Sequence, residues 1–273
     1  MQTIPVRHIA AMPAAFFIRD VAEMMGGRDM IQDIHRHDFF FLLALKKASG
    51  SHEIDFEPYT VNDHCVFLLR PGQVHQLVLH SPCEGYLLHF TPDFYHSPLL
   101  REASMQNAWQ LDSRQWSALY PLLQHIFQEN RQQEDKYLDA IRASLDLFFI
   151  GLLRRRQQAP AAPGDSYIQQ RYHELIALLE THLSHHKQVA WYAAQLHLSI
   201  YQLNNITKTA AGKNCSELIN NCIILEAKRL LLATPAQVKE IACQLGYEDA
   251  SYFVRFFRKH TGHAPQKYRQ HFR

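Results

Sequence analysis

Along the last third of the chain, apolar residues recur with a helical period, broken at short intervals by capping residues. Val238, Ile241, Ala242 and Leu245 fall at i, i+3, i+4 and i+7, which is one face of a helix. Thr234, Pro235 and Gln237 predict its start, as a Thr-x-x-Gln capping box with proline at the first helical position. Gly246 predicts its end. Asp249 is a candidate N-cap for a second helix running to about His260, with Phe253, Phe256 and Phe257 on an apolar stripe. Arg255, Arg258 and Lys259 give that helix a cationic face. Two short helices around a tight turn, the second rich in donors, have the geometry that enters a DNA major groove.

The pattern occurs twice. A shift of 49 residues lays 189–198 on 238–247, and after one extra residue a shift of 50 lays 199–212 on 249–262. Leu203 then falls on Phe253, Asn205 on Arg255, Lys208 on Arg258 and Gly212 on Gly262, and Ser199 with Gln202 makes a capping box of its own. Recurrence in register is stronger evidence than one match, although an ordinary bundle of similar amphipathic helices is the plainer alternative. Residues 216–233 between the units contain no Gly or Pro and predict a helix about 25 Å long. Such a rod could hold two recognition helices in successive major grooves, ~34 Å apart, if the duplex bends.

The N-terminal part alternates with a period of two. Strands are predicted at 35–45, 51–59, 65–69, 74–79 and 86–90, with turns at 46–51, at Arg70-Pro71-Gly72 and at 81–85, as in a barrel or sandwich. His35 and His37 point the same way on a strand, and alternation adds Phe39 and Phe41 to that face. With His75, and His89 as a fourth, the histidines could serve as metal ligands, as polar anchors of a small-molecule pocket, or as core. Two amphipathic helices follow, with Trp116, Leu119, Leu123, Ile126 and Phe127 on the first, and Tyr137, Ile141, Leu145, Phe148 and Leu152 on the second. Their stripes either cover the β domain or form a dimer seam. Residues 154–164 read as a linker, and Ile168, Tyr172, Leu175, Leu179 and Leu183 then open another helix.

Length and charge sharpen this picture. A chain of 273 residues is comfortable for two domains. The net charge of +2 hides an asymmetry: from Ser166 onward there are 13 Lys and Arg against 7 Asp and Glu, whereas residues 1–165 hold 15 against 19. The half bearing the repeat is thus the half drawn to phosphate. The apolar run at 9–18 is broken by Pro13 and followed by Arg19-Asp20, so it reads as a strand or packing segment, with no membrane span and a cytoplasmic setting. Five cysteines without a CxxC pair predict reduced, mostly buried thiols, with Cys215 and Cys222 as the alternative redox pair.

Residues 226–231 (EAKRLL), Ile241-Ala-x-x-Leu-Gly-Tyr, Ser251-Tyr-Phe-x-Arg-x-Phe-Arg-Lys, Thr261-Gly and Pro265-x-x-Tyr-Arg together resemble the DNA-binding domain of AraC/XylS-family transcriptional regulators. That family usually has Arg and Phe where this chain has Asn205 and Thr207; Asn pairs with adenine, where Arg favours guanine, and Thr implies looser packing. His35-x-His37 and Pro71-Gly72-x-x-His75 resemble the cupin-like effector domain found at the N-terminus of such regulators. Enzymatic cupins add a Glu after the histidine pair, and here those positions are Phe39, Phe40 and Phe41, so neither a metal nor another cofactor is expected.

The resemblance implies an α+β chain of two domains, a cupin-like β-barrel with flanking helices followed by an all-α domain. Its expected divisions are a barrel over 1–112, a helical dimerisation segment over 113–156, a linker over 157–166 and a DNA-binding domain over 167–273. The two helix-turn-helix units would lie at about 188–211 and 235–260. By motif position, Tyr201, Asn204, Asn205, Ser251, Tyr252 and Arg255 face base edges, and Lys208, Arg258 and Lys259 face phosphate. His35, His37, Phe39, Phe41 and His75 are the effector candidates. The function implied is effector-controlled transcription regulation, with no enzymatic activity. Expected partners are a double-stranded DNA operator, a small-molecule effector, a second copy of the chain as homodimer, and RNA polymerase, but no membrane. A cupin-type metalloenzyme with an appended helical domain, and a ligand-independent regulator, are the alternatives.

Overall fold

The structure, a computed structural model, describes residues 6–7, 15–156 and 165–271. The chain divides into two compact units, and along the sequence the division falls between Ala159 and Pro160. Most of the expected linker, 157–164, and residues 9–14 of the N-terminal apolar run lie outside the described residues. Asp165 and Ser166, also assigned to the linker, already belong to a helix.

Among the described residues, the first unit is built on one eight-stranded sheet. Its strands are β1 (Val6–Arg7), β2 (Phe16–Asp20), β3 (Met30–His37), β4 (Phe40–Ile54), β5 (Glu57–Val61), β6 (Cys65–Leu69), β7 (Val74–Phe90) and β8 (Ala108–Gln110). The order is β1-β3-β7-β4-β6-β8, with β2 paired to β7 and β5 to β4. The two long strands β4 and β7 run antiparallel from Phe40 opposite Phe90 to Ile54 opposite His75.

Two expected turns are therefore wrong, since 46–51 lies inside β4 and 81–85 inside β7. Register shifts between Leu45 and Ser49 allow the strands to bend without ending. Gly85 sits opposite Leu45, where a Cβ would collide with the Ala44 carbonyl oxygen, so the paired backbones meet at the bend. The run at 35–45, read as one strand, is instead broken at Asp38 and Phe39.

The shifts also exchange the faces of β4. Phe41, Leu43 and Leu45 lie in one core before the bend, and Ala48 and Ile54 join that core after it. A one-residue slip converts odd positions to even ones. The same core takes Phe67 and Leu69 from β6 and Leu77, Leu79 and Leu87 from β7.

Besides the short helices α1 (Val21–Met25) and α2 (Pro98–Ala103), the unit has two long ones, α3 (Ser113–Gln132) and α4 (Tyr137–Arg156), which cover the opposite face, that of Leu42, Ala44, Val66, Leu68 and Leu88. Asp112 and Gln115 start α3 with a reciprocal capping box. Trp116, Leu119, Leu123 and Ile126 of α3, and Ile141, Leu145, Phe148 and Leu152 of α4, are buried in this core, at about 1.5–3 kcal/mol for each large side chain. The stripes nominated as a dimer seam are thus consumed within the unit, the other of the two readings offered for them. Leu147 is the large hydrophobic residue that α4 leaves exposed.

The regular elements among the described residues of the second unit are helices: α5 (Asp165–His182), α6 (Val189–Gln195), α7 (Ile200–Ala211), α8 (Cys215–Ala233), α9 (Val238–Gln244), α10 (Ala250–Thr261) and α11 (Pro265–His271). Leu175, Leu179, Tyr192, Leu203, Ile219 and Ile223 make the upstream core. Ile241, Phe253, Phe257 and Tyr268 are buried downstream, where Phe257 meets the Tyr268 ring edge-on at 5.4 Å. Helix α8 packs against helices of both halves. Cys215 and Cys222 lie seven residues apart on it, about 10 Å along the axis and beyond the ~7 Å limit for a disulfide.

Candidate nucleic-acid interface and effector site

The two bihelical units start and stop by similar devices. Ser199 caps α7 through Gln202 N with the reciprocal glutamine bond, and Asp249 caps α10 by accepting from Ser251 N at 2.7 Å. Gly212 and Gly262 close the two helices in the left-handed conformation. The start expected for α9 falls one turn too early. Thr234 instead ends α8, its hydroxyl donating to Leu230 O, while Gln237 and Glu240 form the capping box of α9. The extended backbone at Thr234 separates the two helices.

On α10, Phe253 and Phe257 are buried, and Ser251, Tyr252, Arg255, Arg258 and Lys259 are exposed. Asp249 holds the Arg255 guanidinium at 3.8 Å in a largely exposed ion pair that is worth little and easily released. On α7, Leu203 and Ile206 are buried, and Tyr201, Asn205 and Lys208 are exposed, Tyr201 to 83%. Asn204 differs from its neighbours. It is half-buried, and its Oδ1 accepts from the backbone N–H of Cys215, the first residue of α8, at 3.0 Å. The aromatic that the resemblance leads one to expect at Thr207 is replaced by a buried hydroxyl donating to Asn204 O at 3.1 Å.

Several contacts within this unit gave no sequence signal. Lys187 Nζ donates to Ser184 O at 3.1 Å and to Gly246 O at 2.9 Å, and lies 4.8 Å from the Tyr247 ring centroid. Burial pulls its pKa down. Gly246 has φ +73°, and a Cβ there would strike the Ser184 carbonyl oxygen. Tyr247 and Phe256, both from the downstream unit, pack on the upstream core. These contacts join the two units directly, in addition to the 19-residue α8, about 28 Å long. Buried Arg269 donates to Leu231 O at 2.8 Å and Ala236 O at 2.6 Å, tying α11 to the end of α8.

In the first unit, all five effector candidates come together. His35, His37 and His75 are buried, each presenting a possible ligand atom within 4.8 Å of the others. Phe39 and Phe41 lie against His37, with ring centroids 4.3 and 5.7 Å away. Two further histidines complete the group: His52 from β4 and His89 from β7. His52 Nε2 is 2.9 Å from His75 Nδ1, and the His89 ring lies 4.6 Å from Phe39. The slip in β4 hides His52 from alternation, because counting from Phe41 puts it on the wrong face.

Burial first, then the neighbouring His35, pushes the pKa of His52 down to about 3. Burial first, then Arg19 and His35, pushes that of His89 down to about 4. Near pH 7 both rings are therefore neutral, each with one N–H and one lone pair. Among the described residues, neither ring nitrogen of His89 has a hydrogen-bond partner, and His52 Nδ1 has none. Buried imidazoles with unused nitrogens beside phenyl faces are able to hold a small polar or metal-bearing ligand.

Comparison with known proteins identifies both domains. Residues 29–148 match the family model described as an AraC-like ligand binding domain, and residues 192–271 match a helix-turn-helix domain. HTH-type transcriptional activators RhaS from Escherichia coli O1:K1 / APEC and from Enterobacter sp. (strain 638) are each 25% identical over 248 residues, 86% of this chain and 87% of theirs. Among solved structures, fatty-acid-bound ToxT from Vibrio cholerae strain SCE256 aligns with 93% of this chain and 94% of its own at 16% identity and a TM-score of 0.44. The C-terminal domain of the response regulator yesN from Fusobacterium nucleatum covers 37% of this chain and 98% of its own, at 27% identity and a TM-score of 0.35. No described helix is long and apolar enough to cross a membrane. Its ligand-binding and helix-turn-helix domains together make this chain a member of the AraC family of DNA-binding transcriptional regulators.

Proposed function

We propose that the histidine–phenylalanine group of the first unit is the effector site, and that its occupancy changes how α7 and α10 meet an operator. His35, His37, Phe39, Phe41 and His75 would hold the effector, with His52 and His89 added. Ser251, Tyr252 and Arg255 would face base edges from α10, and Tyr201 and Asn205 from α7. Lys208, Arg258 and Lys259 would hold phosphates and fix register. Asn204 is reassigned to positioning, since its side-chain oxygen is engaged by α8. The effector can act only if it prefers one arrangement of the chain.

The observation that carries the DNA-facing part is the matched exposure of polar residues on two helices built on the same frame within one unit. We further read the chain as a cytoplasmic regulator and not an enzyme, working as a homodimer and meeting RNA polymerase at its promoters. Leu147 of α4 is the first residue to test at the dimer contact.

The deciding experiment is Arg255→Ala against an operator mapped genome-wide, with each base of the downstream sub-site varied in turn. The expected loss is ~1–3 kcal/mol, confined to one base position. Equal weakening on every sequence would move Arg255 to the phosphate group.

A further inference from the structure

The unusual feature of the effector site is its nitrogen content. His35, His37, His52 and His75 are almost completely shielded from solvent, and no carboxylate belongs to the cluster of candidate ligands. His35 Nδ1 lies 2.6 Å from the carbonyl oxygen of Asp33. A carbonyl can only accept, so the proton is on Nδ1 and the lone pair is on Nε2. That Nε2 is 3.1 Å from His37 Nε2. Two imidazole nitrogens on one tetrahedral cation, each at ~2.0–2.1 Å, would be about 3.3 Å apart. The third ring, His75, has its Nδ1 against His52 Nε2 at 2.9 Å.

We propose that His35, His37 and His75 bind a divalent cation of the borderline class, such as Zn²⁺, Co²⁺ or Ni²⁺, and that His52 positions His75 for it. Imidazole nitrogens select this class over Mg²⁺ and Ca²⁺, which require oxygen ligands. His75 donates from Nδ1 to His52 Nε2 and turns its own Nε2 to the cation, while the Asp33 carbonyl does the same for His35. Hydrogen bonds of this kind from the far ring nitrogen orient histidine ligands and raise their basicity. Three protein ligands leave a coordination position open, where water or an anionic small molecule completes the shell. Register accounts for the assembly. His35 and His37 are alternate residues of β3, His75 pairs with His35 across the sheet, and the slip in β4 turns His52 inward. The inference rests on the effector reading above for its regulatory consequence only; cation binding is measured separately.

The test uses the full chain, stripped with a chelator, desalted and titrated with Co²⁺. The expected result is a visible d–d band that saturates at one equivalent and is displaced by Zn²⁺. His37→Gln and His75→Gln should weaken binding by more than about 100-fold, and His52→Gln by about 10–100-fold. His96→Gln, at an exposed histidine outside the cluster, should leave the band unchanged. Far-UV circular dichroism identifies the variants that fold, and His52→Gln, which removes no ligand, gives a reading if a ligand variant does not.

Absence of a band at one equivalent overturns the proposal. So does a band that persists in folded His37→Gln and His75→Gln, which would place the ion on exposed histidines elsewhere. Operator affinity is then measured with and without Zn²⁺. A change supports the cation as effector or co-effector; a filled site with unchanged DNA affinity upholds the metal site and overturns its regulatory role.

Discussion

Replacing Gly246 with alanine tests whether the two DNA-reading units are held together by direct contact. Two terms contribute. The left-handed backbone costs a residue with a Cβ about 1–2 kcal/mol. The methyl group must also displace the Ser184 carbonyl and the Lys187 ammonium, whose Nζ would be 2.7 Å from it, and overpacking of that kind costs about 1–3 kcal/mol. The sum, about 2–5 kcal/mol, is a large fraction of the ~5–15 kcal/mol that stabilises an ordinary domain.

The upstream unit supplies the control. His197 holds the place equivalent to Gly246 and has φ +53°, so this turn accepts a side chain when nothing crowds it. His197→Ala should therefore cost less than about 1 kcal/mol. Hydrogen–deuterium exchange read by mass spectrometry should show α9–α11 losing protection in Gly246→Ala and not in His197→Ala. Operator binding should fall more on DNA with both sub-sites than on either sub-site alone. Equal effects of the two substitutions, or wild-type protection in Gly246→Ala, would refute the steric link between the units.

Asn204→Ala should destabilise the second unit by about 1–2 kcal/mol, because it leaves the amide of buried Cys215 without its acceptor, while base preference at the operator stays unchanged. Asn205→Ala should do the reverse, and parallel melting curves and operator-variant binding separate the two. Burial raises the thiol pKa of Cys65 and Cys215 to about 11 and of Cys83 to about 12, so at pH 8 these remain protonated and unreactive. A thiol reagent should modify exposed Cys243 first and reach those three only on unfolding. Rapid modification of all five would show that the cores open readily.

The helical half was largely legible in the sequence because its signals are local. Caps, left-handed glycines and periodic apolar residues act within a few positions, and the repeat displays them twice. Local signals do not report which groups approach from a distance. Lys187 to Gly246 and Arg269 to Leu231 join residues 59 and 38 apart, and no spacing rule reveals either. The β half was legible in its alternation but not in its turns. Gly50 and the Pro-Gly content near 81–85 resemble chain reversals, whereas the paired backbones of β4 and β7 simply bend there. Alternation put His35, His37, Phe39 and Phe41 on one face, the Pro71-Gly72-x-x-His75 motif added His75, and the register slip in β4 concealed His52. Asn204 fits the recognition-helix motif, but a tertiary acceptor role draws its oxygen to the start of α8.

Strand β7 hydrogen-bonds to β2, β3 and β4, and it supplies His75 near one end and His89 near the other. During synthesis the histidine cluster cannot exist until this strand has emerged and docked. Any molecule captured there clamps the strand that joins three others, so ligand supply would govern how much mature regulator survives proteolysis as well as what it does on DNA.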